Sequence, residues 1–256
     1  MGKPVIKTAE EIEGMRAAGR LAARTLRHAA RMVTPGITTL EIDQAIGNFI
    51  RKHEGVSAFL GYRGFPANAC ISVNEAVIHG IGNQNRLQFG DIVKLDIGVR
   101  YRGFIGDVAM TVPVGGCSPL AQKLMDVTVD SLYKGISAAC GNAAVSNIGR
   151  KVQACVEGAG FGVVREYCGH GVGRSLHEDP QVPNYVDGKS NDRLRPGVTI
   201  AIEPMVTVGS PLVDVLSDKW TVVTRDRQLS AHFEHTVLVT EGEPEILTRD
   251  EEGPLY

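Results

Sequence analysis

The chain has 256 residues, 43% apolar and 22% charged, enough for a real core in one large domain or two small ones, which excludes disorder. Its net charge of -2 argues against a dedicated nucleic-acid binder, since phosphate neutralisation needs a basic excess. No apolar run is long enough to cross a bilayer, and Met1 to Gly14 lacks the core of a secretion signal, so a cytoplasmic protein with no membrane partner is expected.

Thr8 to Glu11 is a capping box ahead of an Ala-, Leu- and Arg-rich run. It predicts a helix over about 9–33, stopped by Thr34-Pro35-Gly36. Thr38 to Glu41 is a second capping box, and Ile42, Ile46 and Ile50 give the next helix one apolar face, ending before Gly55. Strands are predicted at 69–73, 91–99 and 104–114, the last two joined by a turn over 100–103. The pattern then restarts. Ser118-Pro119 is an N-cap and N1 proline opening a helix to about Cys140. A second helix carries Ile148, Val152 and Val156, and a strand follows at 161–165. A Gly- and Pro-rich stretch runs over 169–196, and strands are predicted at 198–208, 220–224 and 228–240.

The halves rhyme in sequence as well. Residues 89–96 match 196–203: a turn glycine, an apolar strand, then a carboxylate. Residues 107–112 match 234–239, each a carboxylate entering a strand. An internal duplication of a helix-helix-strand-hairpin unit is inferred. Its halves, about 8–115 and 118–240, are expected to pack over one core as a single α+β domain over 1–256, with a cleft where they meet. The five cysteines are widely spaced and contain no C-x-x-C, so neither a disulfide framework nor a zinc ribbon is expected.

Carboxylates sit where they are costly. Asp96 and Glu203 interrupt apolar strands. If Arg100 to Gly103 form a four-residue loop, Asp96 falls opposite Asp107 on one face. A shared proton or a bound cation would resolve their repulsion. Hairpin capping, or pairing with Lys94 or Arg102, would also do so. His79, His170, His177, Glu203 and Glu234 extend the set, and Gly169 to Gly173 lets the backbone approach a ligand closely. Several carboxylates with one or two imidazoles make a mixed O/N site for two divalent ions, a recurring means of hydrolysing amides and phosphates.

These residues resemble the type I methionine aminopeptidases of the pita-bread metallohydrolase family, from about Thr8 to Thr240. The motifs are Ala76-Val77-Ile78-His79-Gly80, Lys94-Leu95-Asp96-Ile97-Gly98, Gly106-Asp107, Gly169-His170-Gly171-Val172-Gly173, Leu176-His177-Glu178, Ile202-Glu203-Pro204 and Phe233-Glu234-His235-Thr236. The resemblance implies a pita-bread fold with a curved antiparallel sheet, and two metals (Co, Mn, Fe or Zn). Asp96, Asp107 and Glu234 would hold one; Asp107, His170, Glu203 and Glu234 the other. It makes Glu203 the proton carrier. His177 would bind the substrate carbonyl and His79 the scissile amide nitrogen. Phe59, Tyr62, Phe65, Cys70, His79, Leu176 and Trp220 would line the methionine pocket. Phe65 stands where many relatives have Tyr, and Leu176 where many have an aromatic residue. A monovalent cation is implied near Asn74, Ala76 and Ser230, through backbone oxygens. The implied partners are nascent polypeptide N-termini, the implied state a monomer, and the implied form the minimal bacterial one.

Other readings are a proline-specific aminopeptidase or dipeptidase, and a non-catalytic pita-bread module that binds peptide or RNA. The former usually carries a further N-terminal domain; the latter usually loses ligands, and all five remain here. A nucleotide loop is disfavoured, because Gly169-x-Gly171-x-Gly173 is not G-x-G-x-x-G. Arg16, Arg20, Arg24, Arg27 and Arg31 fall mostly on one helical face, read either as solvated or as docking on ribosomal RNA.

Overall fold

Two capping boxes start the first half. In the computed structural model, Thr8 Oγ1 accepts from the Glu11 N–H at 3.3 Å, and Glu11 accepts from the Thr8 N–H at 3.0 Å. Thr38 and Glu41 repeat the exchange at 3.1 and 2.8 Å. Such a cap is worth about 1 kcal/mol. The structure describes residues 3–186, 188 and 192–256. Met1 and Gly2, part of the segment read for a secretion signal, lie outside them, as do four residues of the Gly- and Pro-rich stretch.

The first half comprises α1 (Ala9–Met32), α2 (Thr39–Lys52), β1 (Val56–Ser57), β2 (Cys70–Val73), β3 (Ala76–Ile78), β4 (Ile92–Tyr101) and β5 (Phe104–Pro113). The second opens with α3 (Pro119–Ser137), α4 (Ser146–Gly158) and β6 (Gly162–Val163). It continues with β7 (Gly169–Gly171), β8 (Glu178–Val182), β9 (Thr199–Ile202) and β10 (Met205–Thr207). The last strands are β11 (Val213–Val215), β12 (Val222–Thr224), β13 (Ser230–His232), β14 (Glu234–Leu238) and β15 (Glu245–Ile246).

Among the described residues, nine strands form the main sheet, with β1-β4-β5-β14-β9-β7-β8 in order, β2 on β4 and β15 on β14. β5 from the first half pairs with β14 from the second. The isoleucine ladder of α2 and the Ile148-Val152-Val156 ladder of α4 enter one hydrophobic cluster. α1 buries Met15, Ala18, Ala22, Leu26 and Ala29 and packs across β4 and β5. Gly106 permits that approach, since a Cβ there would stand 2.5 Å from the Ala18 carbonyl oxygen.

The structure corrects the sequence reading in three places. The β4–β5 hairpin turns on two residues, Arg102 (φ 50°) and Gly103 (φ 83°), with Tyr101 paired to Phe104. Asp96 therefore pairs with Ala109, and Asp107 with Gly98. The register differs by two from the expected one, so both aspartates stay on one face, as diagonal neighbours. The strand expected over 198–208 breaks after Ile202, at Glu203-Pro204, and its parts join different sheets. Proline lacks the N–H that would continue a ladder. The strand expected over 228–240 likewise divides at Phe233.

Candidate metal centre

Neighbouring strands β4, β5, β14, β9 and β7 each deliver one polar group to a common cavity. Asp96 lies on β4, Asp107 on β5, Glu234 at the head of β14, Glu203 just beyond β9 and His170 in β7. The row Cys70–Asp96–Ala109–Glu234 runs straight across β2, β4, β5 and β14. Gly169 sets the last approach: a Cβ there would lie 2.3 Å from the Ala201 carbonyl oxygen, so glycine lets β7 come close to β9. His170 Nε2 then stands 3.4 Å from Glu203 Oε1 and 3.8 Å from Asp107 Oδ2. Ligand atoms of Asp107, His170 and Glu234 lie within 4.8 Å of one another.

The electrostatics are those of a cation site. Burial raises Asp96 to about 7. Burial, then repulsion from the neighbouring carboxylates, puts Asp107, Glu203 and Glu234 well above the ordinary range. Burial pulls His170 down to about 3, so its ring is neutral. His170 Nδ1 donates to the Gly171 carbonyl at 2.9 Å, leaving the Nε2 lone pair aimed at the carboxylates. Asp96 Oδ1 and Asp107 Oδ1 are buried without a hydrogen-bond partner. Neither aspartate forms an ion pair with Lys94 or Arg102 among the described residues, and Arg102 stacks over Tyr101 instead. Orphaned buried oxygens, mutually repelling carboxylates and a neutral imidazole fit divalent metal.

The cavity has a volume of 380 Å³. Its walls hold His79, His177, Phe59, Tyr62, Phe65, Cys70, Leu176 and Trp220, all named from the sequence. Phe65 meets Trp220 edge-on at 5.1 Å. Tyr62 Oη lies 2.7 Å from His177 Nδ1 at the exposed mouth. Burial, and then His177, lowers His79 to about 4. Desolvation and Arg63 lower His177. Burial, Asp96 and Asp107 hold the Cys70 thiol protonated, so it is a wall rather than a nucleophile.

Sequence reasoning missed several neighbours. Tyr167, Ile78 and Gln181 also line the cavity. Buried His232 points Nε2 at Glu203 Oε2, 3.7 Å away. Its position two residues before Glu234 was the available signal. Of the three backbone oxygens expected to hold a monovalent cation, at Asn74, Ala76 and Ser230, two already accept from the chain's own Lys94. The Lys94 ammonium donates to the Asn74 carbonyl at 2.6 Å and to the Ser230 carbonyl at 3.1 Å.

The α1 arginines hold the chain's own tail. Arg27 meets Asp250 through two hydrogen bonds of 2.8 Å. Arg16 pairs with Glu245 and Glu13, and Arg31 with Glu252. Among the described residues, Arg20 and Arg24 make no ion pair; they line a cleft with Lys52 and Arg102.

The model of metallopeptidase family M24 matches residues 13–241. The chain belongs to that family. Methionine aminopeptidase 1 of Bacillus subtilis is 48% identical over 245 residues, covering 96% of this M24 metallopeptidase and 99% of the relative. The crystal structure of methionine aminopeptidase from Rickettsia prowazekii superposes with a TM-score of 0.94 at 39% identity, covering 96% of this chain and 100% of that one. The Thermotoga maritima methionine aminopeptidase structure gives 0.94 at 42% identity, with the same coverage. The fold is therefore the pita-bread fold, and the metallopeptidase is a hydrolase that uses divalent metal. Among its described residues no helix is long and apolar enough to cross a membrane.

Proposed function

We propose that this metallopeptidase removes the N-terminal methionine of proteins and peptides whose second residue is small. One observation carries the reading: the five polar groups of adjacent strands floor a cavity walled by Phe59, Phe65, Cys70, Leu176 and Trp220. Full-length relatives carrying the methionine aminopeptidase name support it.

Asp96, Asp107, His170, Glu203 and Glu234 would hold two divalent ions, whose bound chemistry is Lewis acidity and a lowered water pKa. Glu203, buried in the floor beside His170, takes a proton from the attacking water at its carboxylate and returns it to the leaving amine. With the Tyr62 hydroxyl donating to His177 Nδ1, His177 Nε2 carries the proton and donates to the substrate carbonyl oxygen. His79, neutral near pH 7, hydrogen-bonds the scissile amide nitrogen. The aromatic walls and the Cys70 thiol give a thioether a close, polarizable fit. Acidic groups beside the pocket favour a free substrate amine. The reading places the enzyme in the cytoplasm as a monomer acting on nascent chains, with availability selecting among Mn, Fe, Co and Zn.

The test is to strip the protein with chelator, restore single metals, and compare Met release from Met-Ala peptides with release of X from X-Pro peptides. Met release restored by divalent metal is expected. Activity confined to X-Pro, or none with any metal, overturns the reading.

A further inference from the structure

Among the described residues Lys94 is the largest fully buried side chain, and the acidic groups that favour its charge, Glu75 and Asp91, stand beyond ion-pair distance. The residue is 1% exposed, and among the described residues its ammonium forms no ion pair with a carboxylate. A buried charge in that state is costly unless polar groups converge on it. Here they are backbone carbonyls, at Asn74 and Ser230. Ser230 Oγ sits 3.2 Å from the same Asn74 oxygen and 3.3 Å from the Ala76 oxygen. The carbonyls of Asn74, Ala76 and Ser230 thus gather around three donors supplied by the chain: the Lys94 ammonium, the Ser230 hydroxyl and the Ser230 N–H. Neutral oxygens alone would form the cage a hard monovalent cation prefers.

The place matters to the site. Lys94 lies two residues before Asp96 on β4, flanked in register by Ser72 and Thr111. Its Asn74 contact holds the turn into β3, the strand that ends just before His79. Its Ser230 contact holds β13, which leads to Glu234. Thr111 Oγ1 donates to the His232 carbonyl at 2.9 Å and accepts from the His232 N–H at 2.9 Å, locking β13 to β5 nearby. One ammonium therefore ties together the backbone behind Asp96, His79 and Glu234.

We propose that Lys94 is a tethered monovalent cation: its ammonium on the Asn74 and Ser230 carbonyls, with the Ser230 hydroxyl on that of Ala76, fills the place that a free alkali ion would occupy, and positions β4 and the strands leading to His79 and Glu234 without one. Lys94 is a positioning residue and does not touch substrate. The inference goes beyond the proposed activity, and its melting readout needs no substrate.

The experiment compares holoenzyme in choline, sodium and potassium chloride at equal ionic strength, reading Tm and the kcat and KM for a Met-Ala peptide. The unmodified protein is expected to give the same Tm and kcat in all three salts. Lys94→Ser opens the cage. In choline its Tm and kcat should fall, kcat by about tenfold from strand misplacement, and both should recover saturably as potassium or sodium is added. Lys94→Gln keeps hydrogen-bond donors without charge and should melt below the unmodified protein. The proposal is overturned if the unmodified protein gains Tm or kcat from potassium or sodium over choline. It is also overturned if Lys94→Gln matches the unmodified protein, or if folded Lys94→Ser gains nothing from any alkali ion.

Discussion

Asp96 and Glu234 stand two strands apart in one straight row, with Ala109 between them as the register partner of both. Strands lie about 4.8 Å apart, so the two carboxylates face each other over a single methyl group. Ala109 is fully buried, and its small side chain keeps the space between the carboxylates open.

Ala109→Leu should fill that space. Overpacking costs about 1–3 kcal/mol, so the fold should survive while metal binding weakens. Metal content after dialysis at low free metal should fall below that of the unmodified protein. Asp96→Asn should do the same without added bulk, and lower kcat/KM by about 100-fold or more. Full metal content in both variants would remove Asp96 and the Ala109 gap from the site.

The metal-free protein should lose stability as pH rises above neutrality. Asp96 titrates at about 7 when folded, against 3.8 for a free aspartate, and the other three carboxylates are raised as well. The folded state then keeps protons that the unfolded chain has released, so stability is lost as pH climbs through the folded values. His170 and His232, lowered to about 3, act oppositely, but only below the 6.5 of an unperturbed histidine. In the window above about pH 6.5 the histidines no longer oppose the loss; Lys94, which burial lowers to about 7, does, against several raised carboxylates, so the net slope should still be downward. Chelated protein should show a falling Tm across that window, and saturating divalent metal should remove most of the slope. A flat Tm in chelated protein would count against the raised carboxylates.

Tyr62→Phe should leave Tm nearly unchanged, because this hydroxyl sits at the exposed mouth. It frees His177 to adopt either tautomer. The expected result is a kcat lower by about threefold to tenfold, with the pH profile of kcat shifted and KM little altered. An unchanged kcat and profile would separate His177 from the chemistry.

Phe65→Ala removes one wall of the pocket and the edge-on contact with Trp220. Lost apolar contact should lower kcat/KM for Met-Ala peptides by about 10- to 200-fold, mostly through KM. Steady-state kinetics on Met and norleucine peptides would check this; equal loss on a substrate with no side chain would not fit a wall role.

Gly106→Ala places a Cβ 2.5 Å from the Ala18 carbonyl oxygen. Neither backbone can give way cheaply, so α1 must lift from β5 beside Asp107. A loss of about 1–3 kcal/mol is expected, read as a lower denaturant midpoint with weaker metal binding. An unchanged midpoint would mean that the helix is not seated as tightly as the structure has it.

The sequence by itself determined the local pieces. Capping boxes at Thr8 and Thr38, the Ile42-Ile46-Ile50 ladder and the Ser118-Pro119 start are decided within a few residues, because capping bonds and helical periodicity are short-range. The shared face of Asp96 and Asp107 was legible too: strand side chains alternate with period 2, so a register reading two residues off still puts both on one side. The tight turn at Arg102-Gly103 was not legible, since arginine is an unusual residue at positive φ. Strand breaks at Pro204 and Phe233 were missed because apolar runs do not say which sheet they enter. Only the tertiary structure decided that β5 meets β14, which sets Glu234 over Ala109, and that Lys94 ends among the Asn74 and Ser230 carbonyls. Both depend on where segments more than 100 residues apart come to pack, as in the Lys94–Ser230 contact 136 residues apart in the chain. The same holds for charge: the small net value of -2 gave no hint that four of its carboxylates converge on one buried floor.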